Sequence, residues 1–159
     1  MRLEPTTTFL KTAICLIGLV ILALFLFWLP WLANLSVEMY PEYSYLQYPV
    51  LIGMYTTSIP FFFALYQAFQ ILSYITKNNA FSNLSVKALK HIKYCAIAIS
   101  IIYVIGSLFL LSQSALHPGI ALMGLTIIFA SAVIAVFAAV LQKLLKNAIE
   151  IKLENELTV

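Results

Sequence analysis

The chain has 159 residues, of which 63% are hydrophobic and only 9% are charged, and its formal net charge is +3. Average soluble domains carry about a quarter charged residues. The composition therefore excludes a soluble globular protein and indicates an integral membrane protein of one domain. Its apolar runs are continuous rather than alternating, which predicts transmembrane helices and argues against a barrel.

The first apolar run, residues 12–33, is long enough to cross a bilayer. It resembles a signal peptide because Arg2 and Lys11 precede it. Its apolar core is longer than the roughly 7–15 residues of a signal sequence, and no A-x-A cleavage site follows. We therefore predict a retained helix, with Trp28 and Trp31 in the interfacial aromatic belt.

Three further apolar runs predict membrane helices at residues 49–75, 94–112 and 119–141. The second run contains Pro60, whose ring clashes with the preceding helical turn. Hydroxyl groups at Thr56, Thr57 and Ser58 can satisfy the freed backbone groups, as happens in other membrane helices. We predict a helix kink at Pro60.

The nine Lys and Arg residues all lie in segments that four spans would place on one side of the membrane: the N-terminal tail, residues 76–93 and residues 142–159. The outer loop, residues 34–48, and the turn at residues 112–118 contain none. By the positive-inside rule, both termini are cytoplasmic. The sequence thus predicts an all-α, up-down bundle of four transmembrane helices in the cell membrane. The basic balance serves this topology, so we expect no direct nucleic-acid binding.

The cytoplasmic loop "NNAFSNLSVKALKHIKY" is the most basic stretch of the chain. Ser82 is predicted to cap a helix that begins at Asn83 and runs without a break into the third span. We expect Lys87, Lys90 and Lys93 to lie near anionic lipid headgroups. Whether they also bind a protein partner stays open.

The tail at residues 142–159 is predicted to extend the fourth helix into the cytoplasm. Leu144, Ala148 and Ile151 form an apolar stripe along it. This stripe is expected to pack against the apolar side of the cytoplasmic loop helix.

The outer loop contains Tyr40, Tyr43, Tyr45 and Tyr48. One interpretation is an interfacial collar, with the rings among headgroups and the hydroxyls in water. The other is a docking surface for an extracellular peptide.

Polar groups inside the spans are few. Thr56, Thr57, Tyr66 and Gln67 either form an intramembrane binding site or hydrogen-bond between helices. The fourth helix carries small residues at a spacing of four, which let helices approach closely: Ser131, Ala135 and Ala139. We expect this ridge to pack inside the bundle, and a homodimer face is the alternative.

The sequence contains none of the common catalytic motifs, namely a carboxylate pair, HExxH, a P-loop or GxSxG. His91 and His117 are predicted on opposite faces of the membrane, so they cannot share a metal. Cys15 and Cys95 fall in apolar segments and are expected to be free thiols. We predict that the protein is not an enzyme and uses no cofactor.

Three stretches resemble a family of small bacterial membrane proteins catalogued as domain of unknown function 2975: "FFFALYQAFQILSYI", "NNAFSNLSVKALKHIKY" and "FAAVLQKLLKNAIEIKLENELTV". The likeness runs over nearly the whole chain. It implies a four-helix fold and, from gene neighbourhoods in the family, a small helix-turn-helix regulator as partner. It implies no catalytic or cofactor-binding residue.

Two function hypotheses follow. The first is a non-enzymatic protein with a regulatory or protective role, which either senses the envelope together with a cytoplasmic regulator or confers immunity to a membrane-active peptide. The second is a small transporter or channel subunit for a neutral solute, built around the kinked second helix.

Overall fold

The computed structural model describes residues 3–158, in which every regular element is helical. Four helical stretches are long and apolar enough to cross a membrane, which confirms the predicted all-α membrane fold. Arg2, which contributes to the predicted topology, lies outside the described residues. In chain order the elements are α1 (Leu3–Ala23), a π-helical turn (Leu24–Trp28), α2 (Leu29–Met39), a 3₁₀ helix (Pro41–Leu46), α3 (Gln47–Thr76), α4 (Asn83–Ser112) and α5 (Pro118–Thr158).

The first membrane helix consists of α1, the π-helical turn and α2, and Pro30 explains the wider turn in its middle. The backbone N–H of Leu29 donates to the carbonyl of Leu24, five residues back. In this pattern the carbonyl of Phe25 would accept a hydrogen bond from the backbone nitrogen of residue 30. That residue is Pro30, whose nitrogen carries no hydrogen. The Tyr55 hydroxyl of α3 donates to that carbonyl at 2.7 Å. A tyrosine of one helix thus compensates for the proline of another.

The helix α3, which contains the second predicted span, continues through Pro60. Proline at this position deprives the Thr56 carbonyl of its usual donor. The preceding hydroxyls donate elsewhere, one turn back: Thr56 to the Ile52 carbonyl, Thr57 to Met54 and Ser58 to Tyr55. They therefore do not act as the predicted replacement at the freed carbonyl, and the kink at Pro60 stays a prediction.

The segment predicted as the outer loop, residues 34–48, is largely helical in the structure. No helix-breaking residue follows Pro30 until Pro41, so α2 continues to Met39. Pro41 then starts the 3₁₀ helix, a position where its missing N–H costs nothing. The segment is consequently an ordered helical cap rather than an open loop.

Residues in the left-handed conformation end both α3 and α4, at Asn78 (φ 58°) and Ser114 (φ 56°). After α4, the N–H of Ser114 bonds to the Leu111 carbonyl and that of Ala115 bonds to Leu110. This is the Schellman pattern, which satisfies the last carbonyls of a helix. It turns the chain within a few residues into α5, as predicted for the turn at 112–118.

The predicted extensions of α4 and α5 beyond the membrane spans are both helical. α4 begins at Asn83 with Ser82 at the N-cap position. The Ser82 hydroxyl, however, donates to the Asn79 carbonyl at 2.7 Å and makes no capping bond. α5 continues to Thr158.

Each membrane helix packs mainly on its neighbour in the chain: α1 on α3, α3 on α4 and α4 on α5. Within residues 3–158, the first helix and α5 make no extensive contact. The end of the bundle that contains Lys11, Lys77, the start of α4 and the end of α5 is called the lysine face below. The opposite end, formed by the 3₁₀ helix and residues 113–117, is called the tyrosine face.

Small side chains line the contact between α4 and α5. Ser131 and Ala135 are buried as predicted, and Ala138 rather than Ala139 completes the buried row. The buried residues of α4 are small as well: Ser85, Ala88, Cys95 and Ala96. The Ser100 hydroxyl donates across this contact to the Ile128 carbonyl at 3.4 Å. Close backbone approach therefore replaces large interlocking side chains here.

Candidate functional site

A cavity of about 600 Å³ lies in the half of the bundle nearer the tyrosine face. Its walls are α2, the first half of α3, the second half of α4 and the first turns of α5. This volume is within the range of about 300–1,000 Å³ that small-molecule sites occupy. The cavity is the candidate functional site.

The cavity is bordered by the two helices that do not pack on each other. Trp28 marks its border on the first helix, and Ile120 and Met123 mark its border on α5. These three side chains are 47%, 48% and 63% exposed, respectively. We infer from this that the cavity opens sideways, between the first helix and α5, toward the space that lipid fills in a membrane.

Two glycines widen the cavity where α3 and α4 form its floor. A Cβ atom added at Gly53 or Gly106 would meet no heavy atom within 4 Å. At Gly124, by contrast, it would lie 3.3 Å from the Ser107 hydroxyl oxygen. Gly53 and Gly106 therefore keep open space free, whereas Gly124 permits close helix packing.

The tyrosine-face end of the cavity carries most of its polar side chains: Ser36, Tyr40, Tyr43, Gln47 and His117. Gln47 donates from Nε2 to the Asn34 Oδ1 at 2.8 Å, which joins α3 to α2. His117 accepts the Gly119 N–H at Nδ1, 3.2 Å away. The neutral imidazole then carries its hydrogen on Nε2, which remains a donor.

Tyr43 and Tyr45 fasten the 3₁₀ helix to the turn between α4 and α5. The Tyr43 hydroxyl donates to the Ser114 carbonyl at 3.0 Å, and the Tyr45 hydroxyl donates to Gln113 Oε1 at 3.0 Å. These bonds connect the first half of the chain to the second half across the tyrosine face. The pair is called the tyrosine latch below.

The other two tyrosines of the predicted outer surface, Tyr40 and Tyr48, are 48% and 70% exposed. The predicted set of four thus divides into the latch pair, of which Tyr45 is also 56% exposed, and the two tyrosines outside the latch. A collar and a docking surface both stay predictions.

The predicted intramembrane site at Thr56, Thr57, Tyr66 and Gln67 does not form one pocket. Thr57 lines the cavity and is 4% exposed. Thr56 is exposed, and Tyr66 is 55% exposed and accepts a hydrogen bond from Gln70 at 2.6 Å. Tyr66 and Gln67 lie ten residues further along the helix than Thr56 and Thr57, about 15 Å away.

At the lysine face, the three predicted contact lysines have two different roles. Lys87 and Lys90 are exposed. Lys93 donates to Gln142 Oε1 at 3.2 Å and lies 4.9 Å from the centre of the Tyr94 ring. It therefore joins α4 to α5, and only the first two are free for headgroups or a partner.

The expected packing of the tail stripe is wrong. Leu144 and Ile151 are 59% and 58% exposed. At this end of α4 the buried residues are Ser85 and Ala88. The remaining tail residues, 152–158, are exposed throughout.

The structure places the two predicted histidines at opposite ends of the bundle. Among residues 3–158, no group of three His, Cys, Asp or Glu side chains is placed to hold a metal ion. His91 packs against Phe63 with ring centres 5.6 Å apart, at the other end of the bundle from His117. Cys15 and Cys95 are free thiols.

Residues 31–159 match the family described as Protein of unknown function (DUF2975). The chain belongs to this family. It is also 60% identical to the uncharacterized membrane protein YoaS of Bacillus subtilis (strain 168), over 97% of this chain and 98% of that protein. No solved structure matches it.

The matched DUF2975 region contains the latch, both glycines and both extensions, and it begins just after Trp28 and Leu29 of the cavity border. Sequence reasoning missed this cavity. Gly53 and Gly106 lie within apolar spans, but so do Gly18 and Gly124, so glycine position alone does not indicate a cavity.

Proposed function

We propose that this DUF2975 protein is a non-enzymatic membrane protein with a regulatory or protective role. In the version we favour, it senses the envelope at the tyrosine face and holds a cytoplasmic regulator at the lysine face. The observation that carries the proposal is that the same two helices, α4 and α5, line the cavity at one end and form the charged extension at the other. A shift of α4 along α5 would therefore alter both the cavity and the charged extension.

The distribution of basic residues supports a cytoplasmic lysine face, because Lys and Arg accumulate in cytoplasmic segments. Its exposed groups suit a soluble partner. Lys87 and Lys90 give α4 a basic side, while Glu150, Glu154 and Glu156 make the end of α5 acidic. The family resemblance suggests a helix-turn-helix regulator as that partner.

The second version, immunity to a membrane-active peptide through the tyrosine face, has weaker support. Two of the four tyrosine hydroxyls are engaged in the latch. A homodimer through α5 is also less favoured, since Ser131 and Ala135 are buried within one chain.

The alternative function is transport of a neutral solute, built around the kinked second helix. It has weaker support, because Thr56 and Tyr66 of that helix do not line the cavity.

The test is deletion of the gene, followed by measurement of transcript levels and of killing by membrane-active peptides. We expect transcript changes that the wild-type gene reverses. The Lys87→Gln/Lys90→Gln variant, which keeps the structural Lys93, should insert normally but fail to reverse them. Lys77→Gln, an exposed lysine on the same face but outside α4, is the matched control and should restore the wild-type pattern.

Deletion that changes neither transcripts nor peptide killing contradicts both versions of the proposal. Deletion that changes only peptide killing favours immunity over regulation.

A further inference from the structure

We propose that the cavity binds the acyl chain of an uncharged glycerolipid, such as a diacylglycerol or its sugar-bearing form. The hydroxyl-bearing head would lie at the tyrosine face. This inference rests on the proposed function and deepens it by naming the molecule that the protein senses.

The location and lining of the cavity favour an acyl chain. Most of its walls are apolar side chains from helices that cross the membrane. It opens between the first helix and α5, beside Trp28 and Met123. A chain can therefore enter from the bilayer, where acyl chains are the surrounding solvent, without passing through water.

The polar end of the cavity favours a head that forms hydrogen bonds. Tyr40 contributes a hydroxyl, Gln47 an amide and His117 an Nε2 donor. Such a combination of donors and acceptors suits hydroxyl and ester groups. They lie where the helices end, which is the depth of lipid headgroups.

The charges around the cavity argue against an anionic head. None of the lining residues, all of them within the described part of the chain, is Lys, Arg, Asp or Glu. Residues 34–48 carry Glu38 and Glu42 but no basic side chain, and residues 112–118 carry no Lys, Arg, Asp or Glu. A phosphate group there would find no counter-charge among the lining residues, and the segment that forms this end of the cavity carries two carboxylates.

The two tryptophans of the chain provide a direct test. Trp28 lies at the cavity border and Trp31 does not line it. In a Trp31→Phe background, we would titrate brominated diacylglycerol into phosphatidylcholine vesicles that contain the purified protein, and measure Trp28 fluorescence. Bromine quenches indole on contact. We expect saturable quenching by diacylglycerol and only weak, unsaturable quenching by brominated phosphatidylglycerol.

Variants that fill the cavity test whether the lipid binds there. Gly106→Leu and, independently, Gly53→Leu place a side chain in open space, so both should fold. Each should weaken the saturable quenching at least about tenfold, equivalent to ~1.4 kcal/mol. Ala132→Leu adds the same side chain on the exposed side of α5 and should leave the quenching unchanged.

Quenching that is equal for both lipids, or that Gly106→Leu and Gly53→Leu leave intact, overturns the inference. Native mass spectrometry of the detergent-released protein distinguishes the other possible occupants by their mass. A mass increment that matches an anionic phospholipid, a peptide or a second copy of the chain, in place of an uncharged lipid, also overturns the inference. The binding assay needs no cellular response. If binding fails while deletion still alters transcripts, only the identity of the ligand is lost.

Discussion

At the scale of single residues, Tyr55 stabilises the contact between the first two membrane helices. Its hydroxyl bonds to the Phe25 carbonyl, which lies in the π-helical turn before Pro30. The Phe25 and Tyr55 rings also lie 6.0 Å apart, at an interplanar angle of 45°. The hydrogen bond and the ring contact act at one place, so the tyrosine fixes the register of these helices.

We predict that Tyr55→Phe lowers stability, because it leaves the Phe25 carbonyl without this donor in a membrane interior. Hydrogen bonds between membrane helices contribute on average about 0.6 kcal/mol and at most about 1.7 kcal/mol. Thermal unfolding in detergent measures the loss. Tyr66→Phe, at an exposed hydroxyl bonded only within its own helix, is the control and should change the midpoint less. Equal midpoints for wild type and Tyr55→Phe would contradict this role.

The tyrosine latch makes a second residue-scale prediction. Tyr43→Phe/Tyr45→Phe removes both hydroxyls that hold the turn at residues 113–117. Amide hydrogen exchange in that turn and in the 3₁₀ helix should become faster, since local opening no longer breaks these bonds. Tyr48→Phe, at a ring that is 70% exposed, should leave exchange as it is. Unchanged exchange in the double variant would mean that the latch does not hold the turn.

At the scale of elements, the sequence could predict the start of α4 and the helical extension of α5, but not the helical structure of residues 34–46 or which sides the helices bury. α4 starts at Asn83 because Gly- and Pro-free helical sequence follows a polar turn, and that signal is local. The buried sides of α4 and α5 could not be predicted in the same way, because both helices are apolar on nearly every side. The spacing of apolar residues then no longer indicates which side is buried. Leu144 looked like a packing residue and is 59% exposed, whereas the small Ala88 is 2% exposed.

The cavity escaped prediction for a related reason. It depends on which helix pairs fail to pack, here the first helix and α5, and no local pattern reports an absent contact. The four residues predicted as a polar site were grouped by chemistry along one helix. Their axial separation kept Tyr66 and Gln67 away from the cavity that Thr57 lines.

The contact between α4 and α5 carries the element-scale prediction. Ala138 is 4% exposed among small side chains, so Ala138→Leu should destabilise the protein by about 1–3 kcal/mol through overpacking. The midpoint of unfolding in detergent measures this loss. Ala132→Leu lies on the exposed side of the same helix and should be tolerated. If the two variants unfold alike, the proposed contact between the helices is incorrect.

At the scale of the whole molecule, four helices long and apolar enough to cross a membrane bring both ends of the described residues, 3 and 158, to the lysine face. The positive-inside rule predicts that this face is cytoplasmic. In a variant without Cys15 and Cys95, Ser44→Cys should react with a membrane-impermeant maleimide in intact cells. Asn155→Cys should react only after the cells are opened. The reverse labelling pattern would invert the topology and place the predicted partner surface outside the cell.

The central claim is that a structural change at the cavity reaches the lysine face through α4 and α5. Hydrogen exchange measured by mass spectrometry tests this claim most directly. Gly106→Leu fills the cavity far from the Lys93–Gln142 bond that joins the two helices at the other end. Relative to Ala132→Leu, the Gly106→Leu variant should change the amide exchange rates in residues 85–93 and 142–150 as well as near the cavity. A change confined to the residues around Gly106 would contradict the claim.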